Sequence, residues 1–170
     1  MEKLTEYRVA FRGLGEGIHT WTYDLDSRFF DNFDSTQGTS GALKAEVVMK
    51  KSSLLMELTV HLSGTVITVC DRCLGDLELP IDESYSVYAK ESGREESIDD
   101  DYLVIEPDQD YIDLAELIYQ TYIINYPIRV VHPDGECDGD MQEVLNKYLI
   151  DEDNKPTDPR WDALKNLINN

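Results

Sequence analysis

Leu54-Leu55-Met56-Glu57-Leu58-Thr59-Val60-His61-Leu62 alternates, with Leu54, Met56, Leu58, Val60 and Leu62 at every second position. A period of two belongs to a strand, whose successive side chains leave opposite faces, and does not fit a helical stripe. One face of this stretch is therefore turned to a core, and His61 falls on the polar, solvent-facing side. Upstream, Leu43, Ala45, Val47 and Met49 alternate with Lys44, Glu46, Val48 and Lys50, and Lys51-Ser52-Ser53 separates the two runs. Downstream, Ser63-Gly64 reads as a two-residue turn, after which Thr65 to Cys70 resumes the strand. Leu77, Leu79 and Ile81 carry the alternation on towards Tyr85, Val87 and Ala89. The expected fold class is α+β: an antiparallel β-meander or partly open barrel followed by C-terminal helices.

Nearer the N-terminus, Glu6 to Phe11 reads as a short strand and Ile18 to Tyr23 as another. Gly13, Gly15 and Gly17 between them do not make a dinucleotide loop, because the third glycine of that motif would fall at Ile18. Ser27 to Phe33 suits a helical turn whose phenylalanines fill the core, and residues 35–41 read as loop. The stretch 91–101 is acidic and poor in apolar residues, so a loop is expected there, with one more strand at Tyr102–Ile105. The period then lengthens. Asp113 and Glu116 have capping-box spacing ahead of the apolar face Leu114, Leu117, Ile118, Thr121 and Ile124, and Pro127 ends that helix. Asp140 with Glu143 repeats the signal before Met141, Val144, Leu145, Tyr148 and Leu149. Asp158-Pro159 starts a last helix that Trp161, Leu164, Leu167 and Ile168 would dock. A single domain over 1–170 is expected, mainly β over 1–105 and helical over 112–170.

Charge is the strongest compositional signal. The formal net charge is −20, and residues 91–116 hold eleven acids against Arg94 alone, which is half of it. Such a field repels a phosphate backbone, so tight unaided binding to nucleic acid is not expected, whereas basic proteins suit it. Glu95, Glu96, Asp99, Asp100 and Asp101 are the candidate partner-binding acids, and simple solubility explains them equally well. No apolar run approaches the roughly 20 residues that span a bilayer. The N-terminus lacks a signal-peptide pattern, and three cysteines suit a reducing cytoplasm.

Two of those cysteines stand in Val69-Cys70-Asp71-Arg72-Cys73-Leu74, and the third follows a histidine in His132-Pro133-Asp134-Gly135-Glu136-Cys137. A Cys-x-x-Cys turn can aim two thiolates at one point, which suits a divalent metal, a redox disulfide or only a tight hairpin. Cys70, Cys73, His132 and Cys137 would together make a Cys3His zinc site. Reduced cysteines in a hairpin remain the simplest account of these residues. Little else looks catalytic: there is no Gly-x-Ser-x-Gly elbow, phosphate loop or His-Glu-x-x-His, and a carboxylate near one of three histidines is expected by chance among 35 acids.

The order of Cys70-Asp71-Arg72-Cys73-Leu74, an acidic stretch, Ile112-Asp113-Leu114-Ala115-Glu116-Leu117-Ile118, Tyr126-Pro127-Ile128 and Asp158-Pro159-Arg160-Trp161 resembles the YceD-like family. That family is named for large ribosomal RNA subunit accumulation and was formerly a domain of unknown function. The resemblance covers residues from about 40 onward. It implies a non-enzymatic factor for accumulation or processing of large-subunit (23S) ribosomal RNA in ribosome biogenesis. With the charge map, the partner is expected to be a basic ribosomal protein or assembly factor, contacted partly through Arg160. An acidic protein-interaction module or a small zinc protein unrelated to ribosomes is the alternative. Many relatives carry a fuller second cysteine cluster, where this chain keeps only His132 and Cys137. No active site is carried over, and the only cofactor in question is one structural zinc.

Overall fold

The computed structural model describes residues 4–33, 40–91 and 102–149. In chain order the elements are β1 (Arg8–Val9), β2 (Gly17–Leu25), α1 (Ser27–Phe30), β3 (Ser40–Lys51), β4 (Met56–Val69), β5 (Asp76–Glu91), β6 (Tyr102–Ile105), β7 (Ile112–Asp113), α2 (Leu114–Asn125) and α3 (Gly139–Tyr148). Two compact units divide the chain, residues 1–131 and 132–170.

The first unit is built on an open five-stranded sheet in the order β2-β3-β4-β5-β6. Alternation in β3 and β4 sends Ala45, Val47, Met49, Leu58, Val60 and Leu62 to one face, where all six are fully buried. Each of these side chains except Ala45 contributes roughly 1.5–3 kcal/mol on burial. Thr59 and Ser86 share a hydrogen bond on the opposite face, as do His61 and Ser84, both at 2.9 Å. Neighbouring strands run antiparallel except the last pair, where Tyr88–Glu91 of β5 meets Tyr102–Ile105 of β6 in parallel. The meander is therefore mixed at its far edge. A second, two-stranded sheet joins β1 to β7, Arg8 opposite Asp113.

One expected turn is absent. The residues Ser63-Gly64 lie inside β4, which runs unbroken for 14 residues. Gly64 sits opposite Leu43 with φ of 141°, and Gly41 on the facing strand has φ of 138°. A glycine here admits a close approach of two backbones within a strand, and the same dipeptide that marks hairpins marks a distortion instead.

Helix α2 starts as its capping residues require: Asp113 accepts from the Ala115 amide at 3.1 Å. Its buried stripe is Leu114, Ala115, Leu117, Ile118, Thr121 and Tyr122. Ile124, expected on that face, is 62% exposed. At 100° per residue it stands about 100° from the middle of the stripe, and Tyr122 fills the place instead. Helix α3 is capped by Asp138, which accepts from the Met141 amide at 3.0 Å, two residues earlier than the Asp140–Glu143 spacing suggested. None of its side chains is buried among the described residues.

Aromatic rings close the core beside α1. Phe29 and Phe30 are each 2% exposed, as the helical-turn expectation required, and Phe33 stacks on Tyr119 at 4.0 Å. Tyr7 stacks on Tyr23 at 4.5 Å. Burial pushes the Tyr7 phenol up to about 12, with Glu6, Asp26, Tyr23 and Asp24 adding to it, and burial raises Tyr122 as well. A folded-state pKa above the unfolded value of 10.0 means the neutral phenol stabilises the fold fully below pH 10. That contribution is lost as pH climbs through 10 towards 12. Melting temperatures should therefore fall over this alkaline window, and Tyr7→Phe should flatten the fall; an equally steep fall in Tyr7→Phe would show that other groups govern it.

Candidate metal centre

Register places Cys70 in the core. The even positions of β4 point inward through Val66 and Thr68, and Cys70 continues the series fully buried. A tight turn follows, closed by the Cys70 amide donating to the Gly75 carbonyl at 2.8 Å and the Leu74 amide to the Cys70 carbonyl at 2.9 Å. Leu74 holds φ of 59°, a left-handed conformation uncommon for leucine, and this brings the chain round for β5. Cys73 is 4% exposed. The Arg72 amide donates to the Cys70 sulfur at 3.4 Å.

Asp71 fixes what lies beside this turn. Its amide donates to the Val130 carbonyl at 2.8 Å, and its Oδ2 accepts from the Val130 amide at 2.6 Å. The Thr68 hydroxyl meets the Tyr126 hydroxyl at 2.7 Å. The segment after Pro127 is thus tied to the cysteine turn at Val130, only two residues before His132. A second small turn follows, with Gly135 at φ of 88° and the Glu136 amide donating to the Pro133 carbonyl at 3.1 Å. It sets the Cys137 sulfur 3.9 Å from His132 Nδ1.

The ligand atoms of Cys70, Cys73, His132 and Cys137 all lie within 4.8 Å of one another, and the three cysteines are free thiols. Three sulfurs and one imidazole, three of the four residues buried, form a soft donor set of tetrahedral size. With zinc–sulfur bonds of about 2.3 Å, tetrahedral sulfurs stand about 3.8 Å apart, so the group needs only a small contraction to close on an ion. These residues fit a structural zinc, which would hold the two turns together with no open position for a substrate. A redox dithiol needs two sulfurs and gives no reason for the other two donors.

A family model described as large ribosomal RNA subunit accumulation protein YceD matches residues 58–168. The chain belongs to the YceD family. The match takes in both the cysteine turn and the His132–Cys137 loop, so the four donors lie within the YceD portion. No curated protein and no solved structure matches the chain. Of the residues singled out in the sequence, the four proposed ligands are brought together. Glu95, Glu96, Asp99, Asp100, Asp101 and Arg160 lie outside the described residues. The clamp from Asp71 to Val130 had no sequence signal, because its acceptor and donor are backbone groups 59 positions away.

Proposed function

We propose that this protein is a non-enzymatic cytoplasmic factor that supports accumulation or processing of large-subunit (23S) ribosomal RNA during ribosome biogenesis. The family match over residues 58–168 carries this reading. The net charge of −20 decides its form, since binding to bare RNA draws on cations that neutralise phosphates, and here acids outnumber bases 35 to 15. The protein acts through a basic ribosomal protein or assembly factor on the nascent large subunit, with the acidic residues 95–101 and Arg160 as contact points. A zinc held by Cys70, Cys73, His132 and Cys137 would serve structure and do no chemistry. No helix among the described residues is long and apolar enough to cross a membrane.

Depletion tests this directly. Loss of the protein should lower the ratio of large- to small-subunit ribosomal RNA, with precursor or degraded large-subunit fragments appearing. An unchanged ratio in rapid growth and in the cold counts against the function. Retention of the particle contact after nuclease treatment supports a protein partner, and tight binding to naked ribosomal RNA sinks the indirect mechanism.

A further inference from the structure

The five-stranded sheet ends on one side at β6, which covers little of its neighbour. β5 runs for 16 residues, and β6 pairs only with Tyr88–Glu91. No described strand pairs with residues 76–87 on that side. Pro80 shows which way the backbone bonds point there. Proline has no N–H, so within a sheet its nitrogen faces an open edge and not a paired strand. Bonding direction alternates along an antiparallel strand, so Glu78, Asp82, Ser84 and Ser86 turn their N–H and C=O outward with it. Asp82, Glu83 and Ser84 are exposed in succession, which leaves both faces of the strand uncovered at this point.

An unpaired edge is a template for another strand, and the side chains along it decide which kind. Residues 76–87 hold Asp76, Glu78, Asp82 and Glu83 and no base. Glu78, Asp82 and Glu83 are exposed, and of these three only Asp82 has an ion-pair partner among the described residues, His61 at 3.5 Å. On the core side, Leu79, Tyr85 and Val87 lie opposite Val66, Val60 and Leu58 and are half-buried, and the exposed Glu83 stands among them opposite Leu62. A second copy of this chain is a poor occupant. Joining two such edges would set four acids against four more, and like charges across a strand pair destabilise it. Pro80 and Glu83 are also the devices that keep an edge from pairing with its own kind. Neither bars a basic strand.

We propose that residues 76–87 bind an extended basic segment of a protein partner as an added strand. Its Lys and Arg side chains face Glu78, Asp82 and Glu83, and its alternate apolar residues cover Leu79, Tyr85 and Val87. Backbone bonds to β5 hold the strand, and charge selects it. The edge and its acids carry this assignment whether or not the partner belongs to the ribosome.

A peptide of about ten residues that alternates lysine with valine, titrated into the full chain, tests this. Two controls accompany it: the same peptide N-methylated at every backbone amide, which keeps the charge and removes the donors, and a version with glutamate in place of lysine. The unmodified peptide should bind saturably, shifting the amide signals of Asp82, Ser84 and Ser86 and slowing their hydrogen exchange, and neither control should. Pro80→Ala restores an N–H to the edge and should tighten binding roughly twofold to tenfold. Glu83→Lys should weaken it about tenfold. Asp24→Lys makes the same charge change on β2, at the opposite edge of the sheet, and should leave binding unchanged. Equal binding of the N-methylated peptide reduces the contact to charge alone and overturns the added strand. Failure of the alternating peptide to bind, or protection confined to residues outside 76–87, overturns it too. So does a concentration-dependent dimer that protects the same amides, which makes a second copy the occupant.

Discussion

The protein purified from zinc-replete cells is expected to carry about one zinc per chain in tetrahedral sulfur–nitrogen ligation, and to lose stability when that ion is chelated. The four donors are already gathered within 4.8 Å, so the ion has little rearrangement to impose. Anything that binds only the folded state stabilises it by mass action, about 4 kcal/mol when free ligand exceeds its Kd roughly a thousandfold. For a chain of this size that corresponds to a fall in melting temperature of roughly 8–16 °C on chelation. The effect should shrink as pH falls, because protons compete with the ion for the thiolates and the imidazole. Cys73→Ser should abolish tight binding. Asp71→Asn is the sharper probe, since it weakens the bond to the Val130 amide while leaving every ligand in place. It should lower zinc affinity without changing stoichiometry at excess zinc. Metal-free protein with an unaltered melting curve leaves only the reduced hairpin reading.

How far the site was legible follows from what a sequence can encode locally. Residue type alone named Cys70, Cys73, His132 and Cys137, because three cysteines and three histidines leave few combinations. Their convergence depends on Asp71 meeting backbone atoms of Val130, and neither partner carries a pattern that announces the other. The same division holds in the fold. Period-two alternation located β3, β4 and β5, because burial on one face writes itself into every second residue. Pairing direction is not written there, so the parallel addition of β6 had no counterpart in Tyr102-Leu103-Val104-Ile105. Ile124 shows a subtler limit: an apolar residue near the edge of a helical stripe is assigned by its neighbours in space, and Tyr122 is the larger side chain.

Gly64→Ala is expected to be among the most damaging single-methyl additions in the chain. In ordinary backbone a glycine-to-alanine change stabilises by about 0.4–1 kcal/mol, because it removes freedom from the unfolded chain. At Gly64 the sign reverses for two reasons. Its φ of 141° lies where an L side chain is strained, at a cost of about 1–3 kcal/mol. An added Cβ would also collide with the Ala42 carbonyl oxygen and lie 3.0 Å from Leu43 Cα, backbone atoms of β3 that cannot turn aside as a side chain can. Three glycines separate these effects. Gly15 has open space around it and no left-handed φ, so Gly15→Ala should be neutral or slightly stabilising. Gly17 has φ of 138° but nothing within 4 Å, so Gly17→Ala carries the conformational cost alone. Gly64→Ala carries both and should lose about 3 kcal/mol or more, or roughly 6–12 °C in melting temperature. Gly41→Ala, whose Cβ would meet the Thr65 carbonyl, should behave alike. If Gly64→Ala costs no more than Gly17→Ala, the two backbones part easily at this point, and the close approach of β3 and β4 contributes nothing to holding the sheet in register.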